Sequence, residues 1–470
     1  MKTNMTYYEL RALIAKIIPR MTVLQKEKRN KEGIREKGRK VDYRQFNLKD
    51  NEWRKQERLL NTEEINSFVE VSVRAAACPM PLNIDTWDSK TCPYACIYCY
   101  ANAFRSTLYT AFFDNSASMG YRHCNPDYYK TELDKLMKLR GSDPHSIKND
   151  VSKAIAMDVP MRFGIRFEDF LDDEKEAGIS LQLLNYLADQ EYPLMINTKS
   201  ALVGTPNYTE ALARNKAGTA VHVTMISCNE DLLMRLEPGA PSFKERLRGV
   251  KNLCDAGVRV VARIEPFLAF VNDSPDEVKE YMERVWEAGV RNITFDTYSY
   301  TAHNPGIRQS FVNAGIDFER VFLVGCDSQA LGSLLLGKFM EMFQQYGFSC
   351  STFDMGNAPQ NDQSVCCEVG DWFKGGFNYG CTVMAARYIK EQNGAPVNWK
   401  AFEAYVNLNG GFLSDSLKQD VKELWNCDGN NAYSHSWSQG MMACGWDEDG
   451  VIWKFEPQSD FRMDILENLV

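Results

Sequence analysis

From about residue 82 to residue 305, short apolar runs alternate with amphipathic stretches, and no other feature of the chain restricts its fold as much. The runs "PLNIDTW", "PMRFGI", "PLMINTKS", "AVHVTMIS", "VRVVARIEP" and "NITFDTY" have the length and composition of strands. Between them, "ISLQLLNYLADQ", "SFKERLRGVKNLCDAG" and "SPDEVKEYMERVWEAG" place apolar residues at helical spacing. Strand and helix in alternation require a parallel sheet with crossover helices. Six such strands predict an α/β fold, a partial TIM-like (β/α)6 barrel with its active site at the C-terminal strand ends.

The flanks differ from this middle. Residues 1–78 read as a helical, basic extension: "YYELRALIAKII" has helical periodicity, and "KEKRNKEGIREKGRK" is a charged linker. Residues 1–60 carry a net charge of +9 and the remainder −18, so a basic arm precedes an acidic body. Such an arm suits contact with the phosphates of DNA or RNA, or is simply a solvated helical face. Residues 306–470 read as a Cys-rich C-terminal module containing "GFSCSTFDMGNAPQNDQSVCCEVGDWFKGGFNYGCTV", which is loop-like in composition. No run of eighteen apolar residues occurs and the N-terminus has no apolar signal core. The expectation is a cytoplasmic protein with no membrane partner.

Within "DSKTCPYACIYCYANAF", Cys92, Cys96 and Cys99 stand at a Cys-x-x-x-Cys-x-x-Cys spacing among Tyr94, Tyr98 and Tyr100. Cysteines clustered in a long chain of a reducing compartment point to metal or catalysis rather than disulfides. A closed zinc site wants four ligands, and Cys78 or Cys124 could supply the fourth. An iron–sulfur cluster held by three thiolates instead leaves one iron open, and just after the first barrel strand that iron would face the catalytic mouth.

These three cysteines match the motif of the radical S-adenosylmethionine superfamily. The chain further resembles the spore photoproduct lyase and DNA-repair-photolyase-like branch in "CIYCYA", "LMINTKSALV", "VHVTMIS" and "LEPGAPSFKERLRGVKNLCDAGVRVVARIEPF", over roughly residues 82–300. The resemblance implies a barrel of the radical SAM type. It further implies a 4Fe–4S cluster on Cys92, Cys96 and Cys99, and S-adenosylmethionine on the open iron, reductively cleaved to a 5′-deoxyadenosyl radical. An electron donor such as flavodoxin or ferredoxin is implied as partner. By position, Lys199 and Thr224 would contact S-adenosylmethionine, with Tyr98 and Tyr100 beside it. Arg263 and Glu265, at the end of a strand, would hold a ribose, the methionyl ammonium or a substrate donor, or form an internal ion pair.

In one place the chain departs from the branch. The cysteine that returns a hydrogen atom in spore photoproduct lyase has no counterpart in "MRFGIRFEDF", where Arg166, Glu168 and Asp169 stand instead. They would offer polar groups to a substrate or form a solvated loop, leaving Cys124, a tyrosine or Cys228 as donor. A nucleic acid base or nucleotide is the implied substrate; a peptide or small metabolite matured by radical chemistry, or a zinc-stabilised nucleic-acid-binding protein, are the alternatives.

A second group, Cys350, Cys366, Cys367 and Cys381, lies in the C-terminal module. It suits an auxiliary iron–sulfur cluster, a structural zinc, or buried free thiols. Adjacent Cys366 and Cys367 rarely share one metal, so a further ligand from Cys326, Cys427 or a substrate is allowed for. Of the lone histidines, only His303 sits where a catalytic loop is expected.

Overall fold

The computed structural model describes residues 5–31, 63–65, 70–73, 78–88, 92–99, 122–165, 167–298, 305–322, 324, 329–353, 361–426 and 441–455. Its main sheet contains β1 (Glu70–Val73), β2 (Leu82–Asp85), β3 (Met161–Phe163), β4 (Leu194–Thr198), β5 (Thr219–Thr224), β6 (Arg259–Phe267), β7 (Asn292–Thr297) and β8 (Ser349–Thr352). They lie in chain order across the sheet, parallel from β2 to β8, with β1 antiparallel to β2 at the edge. All six expected strands form, and the three amphipathic stretches are helices α2 (Ile179–Asp189), α3 (Phe243–Asp255) and α4 (Pro275–Glu287), after the N-terminal α1 (Tyr7–Lys31).

Alternation along the strands separates two faces. Val221 and Val223 of β5, Ala262 and Ile264 of β6, and Ile293 and Phe295 of β7 point outward, into the main core shared with Leu183, Leu253 and Val285 of the helices. On the inner face, Met195, Ala220 and Val261 meet Met80 and the late segment Val365, Val369, Phe373 and Phe377. That segment stoppers the barrel at the N-terminal strand ends. Trp372 Nε1 donates to the Thr219 carbonyl at 3.1 Å, Arg259 pairs with Asp371 at 2.7 Å, and Asn292 Nδ2 donates to Glu368 at 2.8 Å. Thr219, Arg259 and Asn292 are the first residues of β5, β6 and β7.

Two expectations need correction. The sheet does not end at residue 305: helix α5 (Gln329–Tyr346) leads to β8, which pairs in parallel with β7. The strand is short and sits in polar sequence, so no apolar run announced it. Nor is 1–78 wholly helical, because β1 carries the alternating β-branched pair Val71 and Val73 and closes the sheet edge. The basic residues 32–62 lie outside the described residues.

A second core is separate from the barrel. Ile389 of α6 (Thr382–Glu391) packs with Trp399, Phe402, Trp425 and Trp453, drawn from two further helices and the antiparallel hairpin Met441–Asp447 and Gly450–Phe455. Among the described residues, no helix is long and apolar enough to cross a membrane.

Candidate active site

The cysteine loop follows β2 at the C-terminal edge of the sheet. Its backbone is fixed by two tight turns, Ala95 N–H to the Cys92 carbonyl at 3.1 Å and Cys99 N–H to that of Cys96 at 3.2 Å. Ala95 sits at φ 48°, a left-handed position that non-glycine residues seldom occupy. The loop docks on residues 236–239: Ile97 N–H donates to the Leu236 carbonyl at 2.9 Å, and Gly239 N–H to that of Tyr94 at 3.1 Å. A Cβ on Gly239 would stand 2.0 Å from the Pro93 carbonyl oxygen, so only glycine permits this approach. Cys96 is buried at the base of the loop, while Cys92 and Cys99 are half-buried.

Beneath the loop lies a buried charged network. Glu237 binds Arg246, and Tyr98 donates its hydroxyl to the same carboxylate. Arg246 also reaches the Thr224 carbonyl at 2.8 Å and, through Nε, that of Pro241 at 2.8 Å. Lys199 Nζ lies 5.5 Å from the Tyr98 ring centroid. Burial works against the Lys199 charge, yet Cys96 and Glu237 together hold its pKa above the usual lysine value. Burial likewise opposes the Glu237 charge, and Arg246 and Lys199 overcome it, so the carboxylate titrates below its ordinary range. The Cys96 thiol is pushed well up by burial, with Lys199 pulling the other way. A half-buried cation is therefore held within electrostatic reach of Cys96 and Cys99. Glu237 and Arg246 had not been singled out in sequence.

Thr224, last residue of β5, is buried on the inner face beside Arg263 of β6, its register partner. Arg263 and Glu265 form an ion pair, each half-buried, on that same face. Arg166, Tyr100 and His303 lie outside the described residues.

Neither earlier reading of Glu168 and Asp169, substrate contact or solvated loop, survives. Glu168 is buried and accepts from Thr198 Oγ1 at 2.7 Å and from the Lys199 N–H at 2.9 Å, which fixes the strand end that carries Lys199. Asp169, fully buried, accepts from the N–H groups of Thr86, Trp87 and Gly164 at 2.7, 3.1 and 2.8 Å. Both carboxylates brace the mouth instead of lining it. Cys124 is buried in the main core, and Cys228 donates to the Glu277 carbonyl at 3.2 Å, its thiol pushed up to about 12 by burial.

The second cysteine group divides. Cys350, in the middle of β8, points outward into the main core, whereas Cys381 and Cys367 belong to the stopper. Strand alternation makes this unavoidable: Ser349 and Ser351, the neighbours of Cys350, both bond inner-face Glu368. The set Cys350, Cys366, Cys367 and Cys381 is therefore not assembled. Among the described residues no three His, Cys, Asp or Glu side chains converge on a single metal-ion position.

Solved structures of spore photoproduct lyase are similar to this chain. One, a mutant with bound AdoMet and dinucleoside spore photoproduct, is 12% identical, with a TM-score of 0.45 over 71% of this chain and 94% of that one. A second, complexed with the dinucleoside spore photoproduct, is 14% identical with a TM-score of 0.42, over 61% and 79% of the two chains. No family model matches the chain. No curated protein matches it either. Identities this low do not carry residue roles across, and the site stands on the geometry above.

Proposed function

We propose that this chain is a radical S-adenosylmethionine enzyme that modifies or repairs a nucleic acid base or nucleotide. The observation that carries the proposal is the position of the three-thiol loop: at the C-terminal edge of a parallel sheet, with the half-buried Lys199 cation over the Tyr98 ring and within electrostatic reach of Cys96 and Cys99. The donor set fits a 4Fe–4S cluster, since three thiols occupy one short loop and a wider spread of sulfurs suits a cluster than suits one ion. Cys92, Cys96 and Cys99 would hold it. When bound, such a cluster supplies the electron that cleaves S-adenosylmethionine to methionine and a 5′-deoxyadenosyl radical.

The chain's own residues would do the rest. Lys199 pairs with the methionyl carboxylate, where its charge is already secured by Glu237. Thr224 presents a hydroxyl on the inner face to a ribose or carboxylate oxygen. Glu265, tied to Arg263, accepts from a ribose hydroxyl, the methionyl ammonium or a substrate donor. Arg246 and Glu237 hold the loop and Tyr98 in register and exclude water from beneath it. The basic stretch within residues 1–60 supports a polyanionic substrate.

Anaerobic protein, reconstituted with iron and sulfide and given S-adenosylmethionine and a strong reductant, is expected to release 5′-deoxyadenosine, and Cys96→Ala to release none. Equal release by both would end the radical reading. Deuterated oligonucleotides then test the substrate class: deuterium in 5′-deoxyadenosine supports it, and transfer only from a peptide or metabolite substrate would replace it.

A further inference from the structure

Alternation along β4, β5 and β6 stacks the inner face of the barrel in tiers. Met195, Ala220 and Val261 form the apolar floor against the stopper. Two residues further along the same strands stand Asn197, His222 and Arg263, and two further still stand Lys199, Thr224 and Glu265. Thr294 of β7, the register partner of Arg263, completes the middle tier. Two residues of strand, about 6.6 Å, separate that tier from Lys199 and Thr224 above it.

The middle tier holds unanswered polar atoms. Asn197, His222 and Thr294 are 5%, 1% and 2% exposed, yet Asn197 Oδ1, His222 Nε2 and Thr294 Oγ1 have no hydrogen-bond partner. Asn197 and His222 are register partners on adjacent strands and still do not bond each other through these atoms. Buried polar atoms are almost always paired. Three orphans on one face of one sheet, between an apolar floor and the half-buried Arg263–Glu265 pair, mark a place that something else fills.

The same groups define what can fill it. All three are uncharged: an amide, a hydroxyl, and an imidazole that burial, with Arg263 and Arg162 nearby, keeps unprotonated. The Arg263 charge is already answered by Glu265. An anion placed here would face the Asn197 carbonyl oxygen, an acceptor like itself, whereas a neutral group with N–H and C=O side by side satisfies all three. The edge of a nucleobase has that pattern, and enzymes that act on a base draw it out of the stack into a pocket of this kind.

We propose that Asn197, His222 and Thr294 bind the hydrogen-bonding edge of the substrate's nucleobase, drawn into the barrel beneath the cosubstrate while the phosphates stay at the mouth. Base selection, on the nucleic acid reading given above, then belongs to three residues that no motif marks.

The full chain, reconstituted with iron and sulfide, is titrated by fluorescence anisotropy with labelled DNA and RNA tetranucleotides, each of a single base, and with an abasic strand of the same length. Wild type is expected to bind at least one of them about tenfold more tightly than the abasic strand. Asn197→Leu, His222→Phe and Thr294→Val should each bring that strand to within about twofold of the abasic one, and each should melt at or above the wild-type temperature, since no orphaned polar atom is then buried. The abasic affinity and the Kd for S-adenosylmethionine should not move. Variants that melt higher but bind every strand as wild type does would show that the tier holds water alone, and a loss confined to S-adenosylmethionine would give the tier to the cosubstrate; either overturns the proposal. So does a wild type without base preference, and if that protein still releases 5′-deoxyadenosine, the radical reading stands while base binding falls. Should Asn197→Leu or His222→Phe fail to fold, the isosteric Thr294→Val decides alone.

Discussion

Glu237 is the residue on which the site's electrostatics turn, because one buried carboxylate answers the buried Arg246, the half-buried Lys199 and a phenol. Glu237→Gln strands the Arg246 charge, and breaking a buried pair from one side costs about 3–5 kcal/mol. Urea unfolding at neutral pH should show a loss of that size; a loss below about 1 kcal/mol would mean that water relieves Arg246. The sign with pH follows from the lowered carboxylate pKa. Its stabilisation is present above the unfolded value of about 4.3 and is lost as pH falls through the folded value, so wild type and variant should converge in acid. Lys199→Ala should weaken S-adenosylmethionine binding by roughly 1.5–3 kcal/mol, tenfold or more in Kd, with iron content unchanged. Isothermal titration on reconstituted protein checks this, and an unaltered Kd would remove Lys199 from the cosubstrate. That Lys199 ends a strand near the three-cysteine loop was legible from the motif and the strand pattern, while the cosubstrate role of either belongs to the proposal. Glu237 and Arg246 were not, although Arg246 left a trace: it shares the buried face of α3 with Phe243, Val250 and Leu253, an odd place for a charge.

Among elements, the docking of the cysteine loop against residues 236–239 is the joint most open to test. Gly239→Ala drives a Cβ toward the Pro93 carbonyl, and relief by backbone shift costs about 1–3 kcal/mol. The expected outcome is a folded protein that reconstitutes with clearly less iron than wild type. Undiminished iron and an unchanged melting temperature would show that the two loops move independently. The alternating strand and helix patterns announced β2 to β7 and helices α2 to α4 because each buries one clear face. By contrast, β8 was hidden in "GFSCST", too short and polar to stand out, and the sidedness of Cys350 depended on knowing that a strand passes through it.

At the scale of the molecule, two cores are joined through the stopper. A chain ending at Thr352 keeps every strand of the main sheet but uncovers Met195, Ala220 and Val261. It should aggregate or bind a hydrophobic dye, whereas soluble, dye-free protein would show that the sheet closes its own inner face. Hydrogen exchange on the intact chain should find the amides of Val365 to Phe377 protected together with β5 and β6, and those around Trp399 and Trp453 opening as a separate unit. The stopper also orders events during synthesis. All seven parallel strands leave the ribosome before residues 361–384 do, so a nascent barrel waits with its floor open, and folding in step with translation cannot seal it until the chain has been made through Cys381.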